Sequence, residues 1–310
     1  MIRRHARSLG LKTALLIVFV GVLGCGQGAQ PPAPADPPFA FEDLGVPEVL
    51  SDAFGFTEGP TWSRDEGLLY FSDLDFNEVY TWTPQLGFAT EISPSRSING
   101  MAIDREGRLL LAQQAESRIL RRELDGSLTV LADRYGGQRL NSPNDIAVRS
   151  DGLIYFTDPQ FGFAVPEMDF QGIYRLLPDG SLFLESEDSG SPNGIALSLD
   201  ESLLYVALTL GGRVDVYDVA ADGALSNRRE FATALIADGL CLDAQGNVYV
   251  TSFEGLKVFS PDGLELGALL LDAPPANCGF GGADGKTIFV TARNFLYSID
   301  APVRGAAFAD

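Results

Sequence analysis

Apolar residues along this chain come in short runs broken by turn formers every eight to twelve positions, and no stretch sustains a helical period. One pairing of runs recurs. It reads TWSRDEGLLYFSD from Thr61, MAIDREGRLLLA from Met101 and IAVRSDGLIYFTD from Ile146. It continues as IALSLDESLLYVA from Ile195, LCLDAQGNVYVTS from Leu240 and GFGGADGKTIFVTA from Gly279. Each copy predicts a strand, a tight turn built on a charged or glycine residue, and a second apolar strand. Tyr70, Leu110, Tyr155, Tyr205, Tyr249 and Phe289 take equivalent places in the second strand, at steps of 40, 45, 50, 44 and 40 residues. Six units of that length, each with room for four short strands, predict an all-β fold, a six-bladed β-propeller over residues 39–310. The segment Phe39 to Leu50 precedes the first hairpin and is expected to give the last blade its outer strand, closing the ring and removing an exposed sheet edge.

The amino terminus breaks that pattern. Arg3, Arg4, Arg7 and Lys12 flank an unbroken apolar run from Leu15 to Val20, and Val22-Leu23-Gly24-Cys25 closes the segment. That order is expected of a secretory signal peptide over residues 1–24. Its closing residues resemble a bacterial lipobox, in which the cysteine, here Cys25, is lipidated and becomes the first mature residue. A plain signal peptide and a short transmembrane anchor are the alternatives, although the stretch is short for a span. Residues 25–38 are rich in Pro, Ala and Gly and read as a tether with little to bury. The expectation is an exported protein, lipid-anchored to the cell membrane and facing the periplasm or the outside. Gly26, where an Asp would mark inner-membrane retention, favours the outer membrane.

Without the leader the chain carries 18 basic and 42 acidic side chains, a net charge of −24. Such a surface repels phosphate backbones and argues against nucleic acid as a partner, while favouring cations. The single histidine, His5, also lies in the leader, which excludes histidine triads and histidine metal sites from the mature protein. Chemistry must come from carboxylates, amides or a hard cation. Cys241 and Cys278 remain once Cys25 is assigned to lipid. An oxidising compartment would permit a disulfide between them, but two buried thiols are expected.

The residue that opens each first strand is the most informative. It is Glu58 in TEGP, Asn99 in SING, Asn144 in SPND, Asn193 in SPNG, Asp238 in ADGL and Asn277 in ANCG. Four of the chain's nine asparagines stand in these six slots. The first strand of a propeller blade lines the central channel, so six acceptor-bearing side chains are expected to converge on the axis at one end. Turn capping explains an asparagine at any one strand start, but not a Glu and an Asp in the same ring. Two carboxylates and several amide oxygens, with no nitrogen or sulfur ligand, describe a hard-cation site. Ca2+ fits first, with Mg2+, Zn2+ or Mn2+ as alternatives.

At these residues the chain resembles the gluconolactonase/regucalcin (senescence-marker-protein) family of six-bladed propellers, in a lipoprotein form and closer to the bacterial gluconolactonase branch. The resemblance runs from TEGPTW to TARNFLYSID and is densest in RLNSPNDIAVRSDGLIYFTDPQFG, SPNGIALSLDESLLYVA, DGLCLDAQGNVYVTS and NCGFGGADGKTIFVTA. It implies metal ligation by Glu58, Asn144, Asn193 and Asp238, with Asp238 doubling as the catalytic carboxylate. Asn99 and Asn277 belong to the ring by spacing and are placed behind the ligands or on the channel wall. Asp145 would contact the ligand or order a water. Two departures concern the channel mouth. Many gluconolactonases carry a histidine shortly after the second hairpin, where LAQQAESR offers Gln113 and Gln114, and Gln114 is taken as a candidate substrate contact. The substrate-facing arginine of regucalcin is replaced by Ser142.

The resemblance implies a lactonase, a metal-dependent carboxylic ester hydrolase acting on a small-molecule lactone or ester, with Asp238 as base or nucleophile. Two other readings stay open. One is hydrolysis of phosphorus or other esters on the same site, as in propellers resembling diisopropyl fluorophosphatase. The other is a non-catalytic binding propeller whose calcium is structural. A monomer is expected. The aromatic residues of the loop from Pro159 to Phe170 suit a substrate wall or lid, or packing on the neighbouring blade.

Overall fold

The computed structural model describes residues 36–162 and 165–309, so the leader, Cys25 and most of the tether lie outside the described residues. Six four-stranded antiparallel sheets follow one another as the blades of a ring. Apart from two 3-10 turns, Phe41–Asp43 and Ala306–Phe308, the regular structure of the described residues is strand. The innermost strands of blades one to six are Thr57–Ser63, Ile98–Ile103, Ile146–Val148, Pro192–Leu197, Leu240–Leu242 and Asn277–Gly281.

The recurring hairpin is the inner half of each blade. Its turn needs one residue with left-handed backbone, supplied by Gly67, Gly107, Gly152, Gly246 and Gly285, and in blade four by Glu201 at φ 57°. The Glu201 carboxylate compensates by accepting bonds from the Ser150 amide and hydroxyl, both at 2.6 Å. The equivalent large residues of the second strands are all buried. Across from them, on the innermost strands, stand the smaller Thr61, Ala102, Ala147, Ala196, Cys241 and Gly279. This alternation of large and small fills the wedge between blades. Two of the buried tyrosine hydroxyls find acceptors, Tyr155 donating to Gly223 O at 2.6 Å and Tyr70 to Glu66 at 2.7 Å.

Ring closure takes the route read from the sequence. The strand Glu48–Ser51 pairs antiparallel with Phe295–Asp300, placing Val49 opposite Tyr297 at the outer edge of blade six. The described chain starts on the turn side of the ring, where Asp36 holds Lys286 at 2.8 Å and Arg304 at 2.9 Å.

One expectation fails. Cys241 and Cys278 are not separate thiols but a disulfide, with Cα atoms 5.7 Å apart on the innermost strands of blades five and six. The inner strands of these blades meet backbone to backbone, Gly239 N donating to Ala276 O at 2.8 Å, and this register brings the two cysteines face to face.

Candidate functional site

All six innermost strands begin at the same end of the ring, and a cavity of about 360 Å³ opens there. Glu58, Asn99, Asn144, Asn193 and Asp238, from five successive blades, line it. Their convergence depends on the glycines that follow Glu58, Asn99, Asn193 and Asp238. Gly194 N donates to Asp238 O at 2.8 Å, and a Cβ on Gly194 would stand 2.4 Å from that oxygen. A Cβ on Gly239 would stand 2.1 Å from Asn277 Oδ1. Only a residue without a side chain lets these inner strands lie so close to their neighbours. Hydroxyls of the second strands then tie blade to blade: Ser72 donates to Asn99 O at 2.9 Å, Thr157 to Asn193 O at 2.6 Å and Thr251 to Ala276 O at 2.7 Å.

The orientation of Asn193 is set from behind. Its Nδ2 donates to Thr209 Oγ1 at 3.0 Å, and that hydroxyl donates to Ala237 O at 2.8 Å. The amide oxygen is thereby left buried and without a hydrogen-bond partner, as is that of Asn99. An unsatisfied buried acceptor costs about 1–3 kcal/mol.

Carboxylates crowd the same floor. Burial, followed by the charges of Asp238 and Asp145, holds Glu58 well above the usual carboxylate range. Asp238 is pushed up to about 7, chiefly by burial and also by Asp145, against a hydrogen bond from Asn193 and the Arg293 guanidinium. Burial raises Asp145 to about 6 despite bonds from the Ile146 and Ile195 amides at 2.9 and 3.2 Å and from Asn277. Among the described residues no group of three or more His, Cys, Asp and Glu side chains forms a metal-holding cluster. The donor set at the cavity floor is of another kind, two crowded carboxylates with partnerless amide oxygens, and it fits a hard divalent cation.

The metal-free protein is therefore expected to lose stability as pH rises. A carboxyl whose folded pKa exceeds its unfolded value keeps its proton in the folded state after the unfolded chain has released it. From about pH 4, the unfolded value, to about 7 for Asp238, these groups favour the folded state at the acid end and lose that advantage toward the alkaline end. Melting in chelator should fall between about pH 5 and about pH 7.5, and Ca2+ should flatten the profile. A Tm in chelator that rises over this window would contradict the assignment.

The structure separates residues that sequence left adjacent. Gln114 lines the cavity, whereas Gln113 turns inward, donating to Ser95 O at 2.8 Å and accepting from Arg118 at 2.7 Å. Asn144 lines the cavity while Asp145 sits behind it on backbone amides, and Asn277 likewise supports the carboxylates from behind. Ser142 binds the loop that follows, accepting from Phe161 N and Gly162 N at 3.0 Å and donating to Pro159 O at 2.5 Å. That loop divides between the two roles expected of it. Phe161 is cavity wall, and Phe170 packs against the buried core of blades two and three.

Phe56, Leu74, Asp75, Ser97 and Thr209 complete the walls and were not foreseen. A signal was available. Leu74, Gln114 and Thr209 each follow directly on the last residue of a second strand, and Arg293, whose guanidinium lies 4.8 Å over the Phe56 ring, holds the same slot in blade six.

The chain matches the family described as the SMP-30/Gluconolactonase/LRE-like region over residues 56–294. It is 32% identical to a gluconolactonase of Zymomonas mobilis over 288 residues, which covers 82% of this chain and 81% of that protein. It is 29% identical to the pentonolactonase XacC of Haloferax volcanii, covering 79% of this chain and 84% of that one. Among solved structures, a gluconolactonase from Xanthomonas campestris superposes with a TM-score of 0.78 at 35% identity, covering 82% of this chain and 89% of the other.

Proposed function

Since this chain belongs to the SMP-30/gluconolactonase/LRE-like family, we propose that it is a lactonase, a carboxylic ester hydrolase that opens lactones at the axial cavity. The relatives that share most of its length act, by their names, on gluconolactone and pentonolactone. The observation that carries the reading is the pair of buried Glu58 and half-buried Asp238 beside partnerless amide oxygens at the cavity floor.

Glu58, Asn144, Asn193 and Asp238 would hold a divalent cation, Ca2+ first. When bound, that ion supplies Lewis acidity at the lactone carbonyl. Asp238, whose side chain lines the cavity floor, accepts the proton of the attacking water. Water oxygen bonds to the carbonyl carbon, the acyl–oxygen bond of the ring breaks, and the ring oxygen takes up a proton. The product hydroxy acid ionises, so each turnover releases one proton. Thr209 keeps the Asn193 amide oxygen facing the site, while Asn99 and Gln114 offer polar contacts to a hydroxylated substrate. The leader sequence and Cys25 support an exported, lipid-anchored form of the enzyme.

Proton release from D-glucono-1,5-lactone and from a pentonolactone, measured in a pH-stat, tests the reading. Turnover should require Ca2+ and stop in chelator. Turnover indifferent to chelator would remove the metal from the mechanism. Preference for a phosphotriester over every lactone would give the site to the rival hydrolysis.

A further inference from the structure

Three loops on the mouth side of blades four and five touch one another. Ala234 N donates to Gly212 O at 3.1 Å, Thr209 Oγ1 to Ala237 O at 2.8 Å, and Phe253 N to Leu235 O at 3.0 Å. On these loops stand four exposed apolar side chains: Leu210 at 77%, Leu235 at 51%, Ile236 at 46% and Phe253 at 62%. Isolated exposed apolar residues are ordinary, but a contiguous group beside a cavity marks a binding surface.

Ile236 adds a second, independent sign. Its backbone lies at φ 52°, a region that a β-branched residue rarely adopts. Neighbouring bonds hold it there, through Leu235 N to Glu254 at 3.1 Å and through Ala237 O to Thr209. Strained backbone of this kind is kept where position matters. The group adjoins the cavity along the chain, because Leu210 follows Thr209 and Ile236 stands two residues before Asp238, and both Thr209 and Asp238 line the cavity. Phe161 on blade three, 40% exposed, extends the apolar wall inside it. Across the mouth, blades six, one and two add the polar Arg293, Asp75, Ser97 and Gln114 to the apolar Phe56 and Leu74.

We propose that Leu210, Leu235, Ile236 and Phe253 form a shelf for an apolar substituent of the substrate, so that the enzyme takes lactones bearing an alkyl or acyl chain in addition to hydroxylated ones. The proposal rests on the lactonase reading given above. The lactone ring occupies the cavity and its chain runs outward over blades four and five. A membrane is the less suitable occupant, because the described chain starts at the opposite end of the ring, where Asp36 binds Lys286 and Arg304.

The test measures kcat/KM of the full chain with Ca2+ for γ-lactones carrying hydrogen, ethyl, butyl or hexyl at the ring carbon, with D-glucono-1,5-lactone as reference. Burial of each methylene on the shelf predicts a rise of about two- to fourfold per carbon. The double variant Leu210→Ser/Phe253→Ser is expected to lower the hexyl-to-unsubstituted ratio at least tenfold, a ratio that cancels differences in the amount of folded enzyme. Hydrolysis of gluconolactone with a flat alkyl series would overturn the shelf and leave the lactonase intact. A slope that survives the double variant would also overturn the shelf. Failure on gluconolactone and on every alkyl lactone would overturn both.

Discussion

Asp238→Asn is expected to lower kcat/KM on an aldonolactone by about a thousandfold, within the range general-base groups contribute. Asparagine keeps the shape and one oxygen donor but cannot accept the proton of water. The stability of the same variant should move the other way. Asp238 is half-buried, and its charge is among the causes that push Glu58 up, so removing it relieves like-charge crowding. Metal-free Asp238→Asn should melt above metal-free wild type near pH 7.5, and loss of activity then has no explanation in unfolding. Asp145→Asn is the matched control. Asp145 is the more deeply buried of the two, bonds to the Ile146 and Ile195 amides and does not line the cavity, so its loss of rate should stay within about tenfold, below the usual range for a general base. Retention of a tenth or more of wild-type rate by Asp238→Asn, or equal losses in the two variants, would take the base role away from Asp238.

Replacing both members of the disulfide, Cys241→Ala with Cys278→Ala, should destabilise the fold by about 3–4 kcal/mol in the chain-entropy account of cross-links. The bridge closes a 37-residue separation between innermost strands of adjacent blades. For a domain of this size that corresponds to a fall in Tm of about 10 °C. Calorimetry of wild type with and without a strong reductant, beside the double variant, checks it. Coincident melts would show that packing of Tyr249, Phe280 and their neighbours holds blades five and six together unaided. Glucono-lactone hydrolysis at a temperature well below either melt should change little, because neither cysteine lines the cavity.

The disulfide also marks where sequence ceased to be informative. Blade number, the outer strand given to blade six and five of the cavity-lining acceptors were legible, because a propeller repeats its inner hairpin and equivalent slots can be compared. Cys241 and Cys278 occupy different slots, one opposite Tyr249 within its blade and one at the strand position before Gly279. Their meeting depends on how neighbouring inner strands stagger, which no single repeat encodes. The same limit hid the difference between neighbours. Asn144 and Asp145, or Gln113 and Gln114, are consecutive letters at strand ends, yet one of each pair lines the cavity and the other does not. Only packing decides which of each pair reaches the cavity. Thr209 was missed for a further reason: its importance lies in orienting the amide of Asn193 rather than in any chemistry of its own.

Closure by the strand Glu48–Ser51 against Phe295–Asp300 has a consequence for the order of events in assembly. Residues made early are paired with residues made late, so during synthesis the strand Glu48–Ser51 waits for its partner. Contacts of such sequence separation are slow to form, since the loop-closure entropy falls due before any of their reward. Until blade six shuts, the five cavity-lining acceptors belong to an open crescent rather than a ring. A chain terminated between Asp238 and blade six would therefore hold every proposed ligand in its sequence and still lack the closed site.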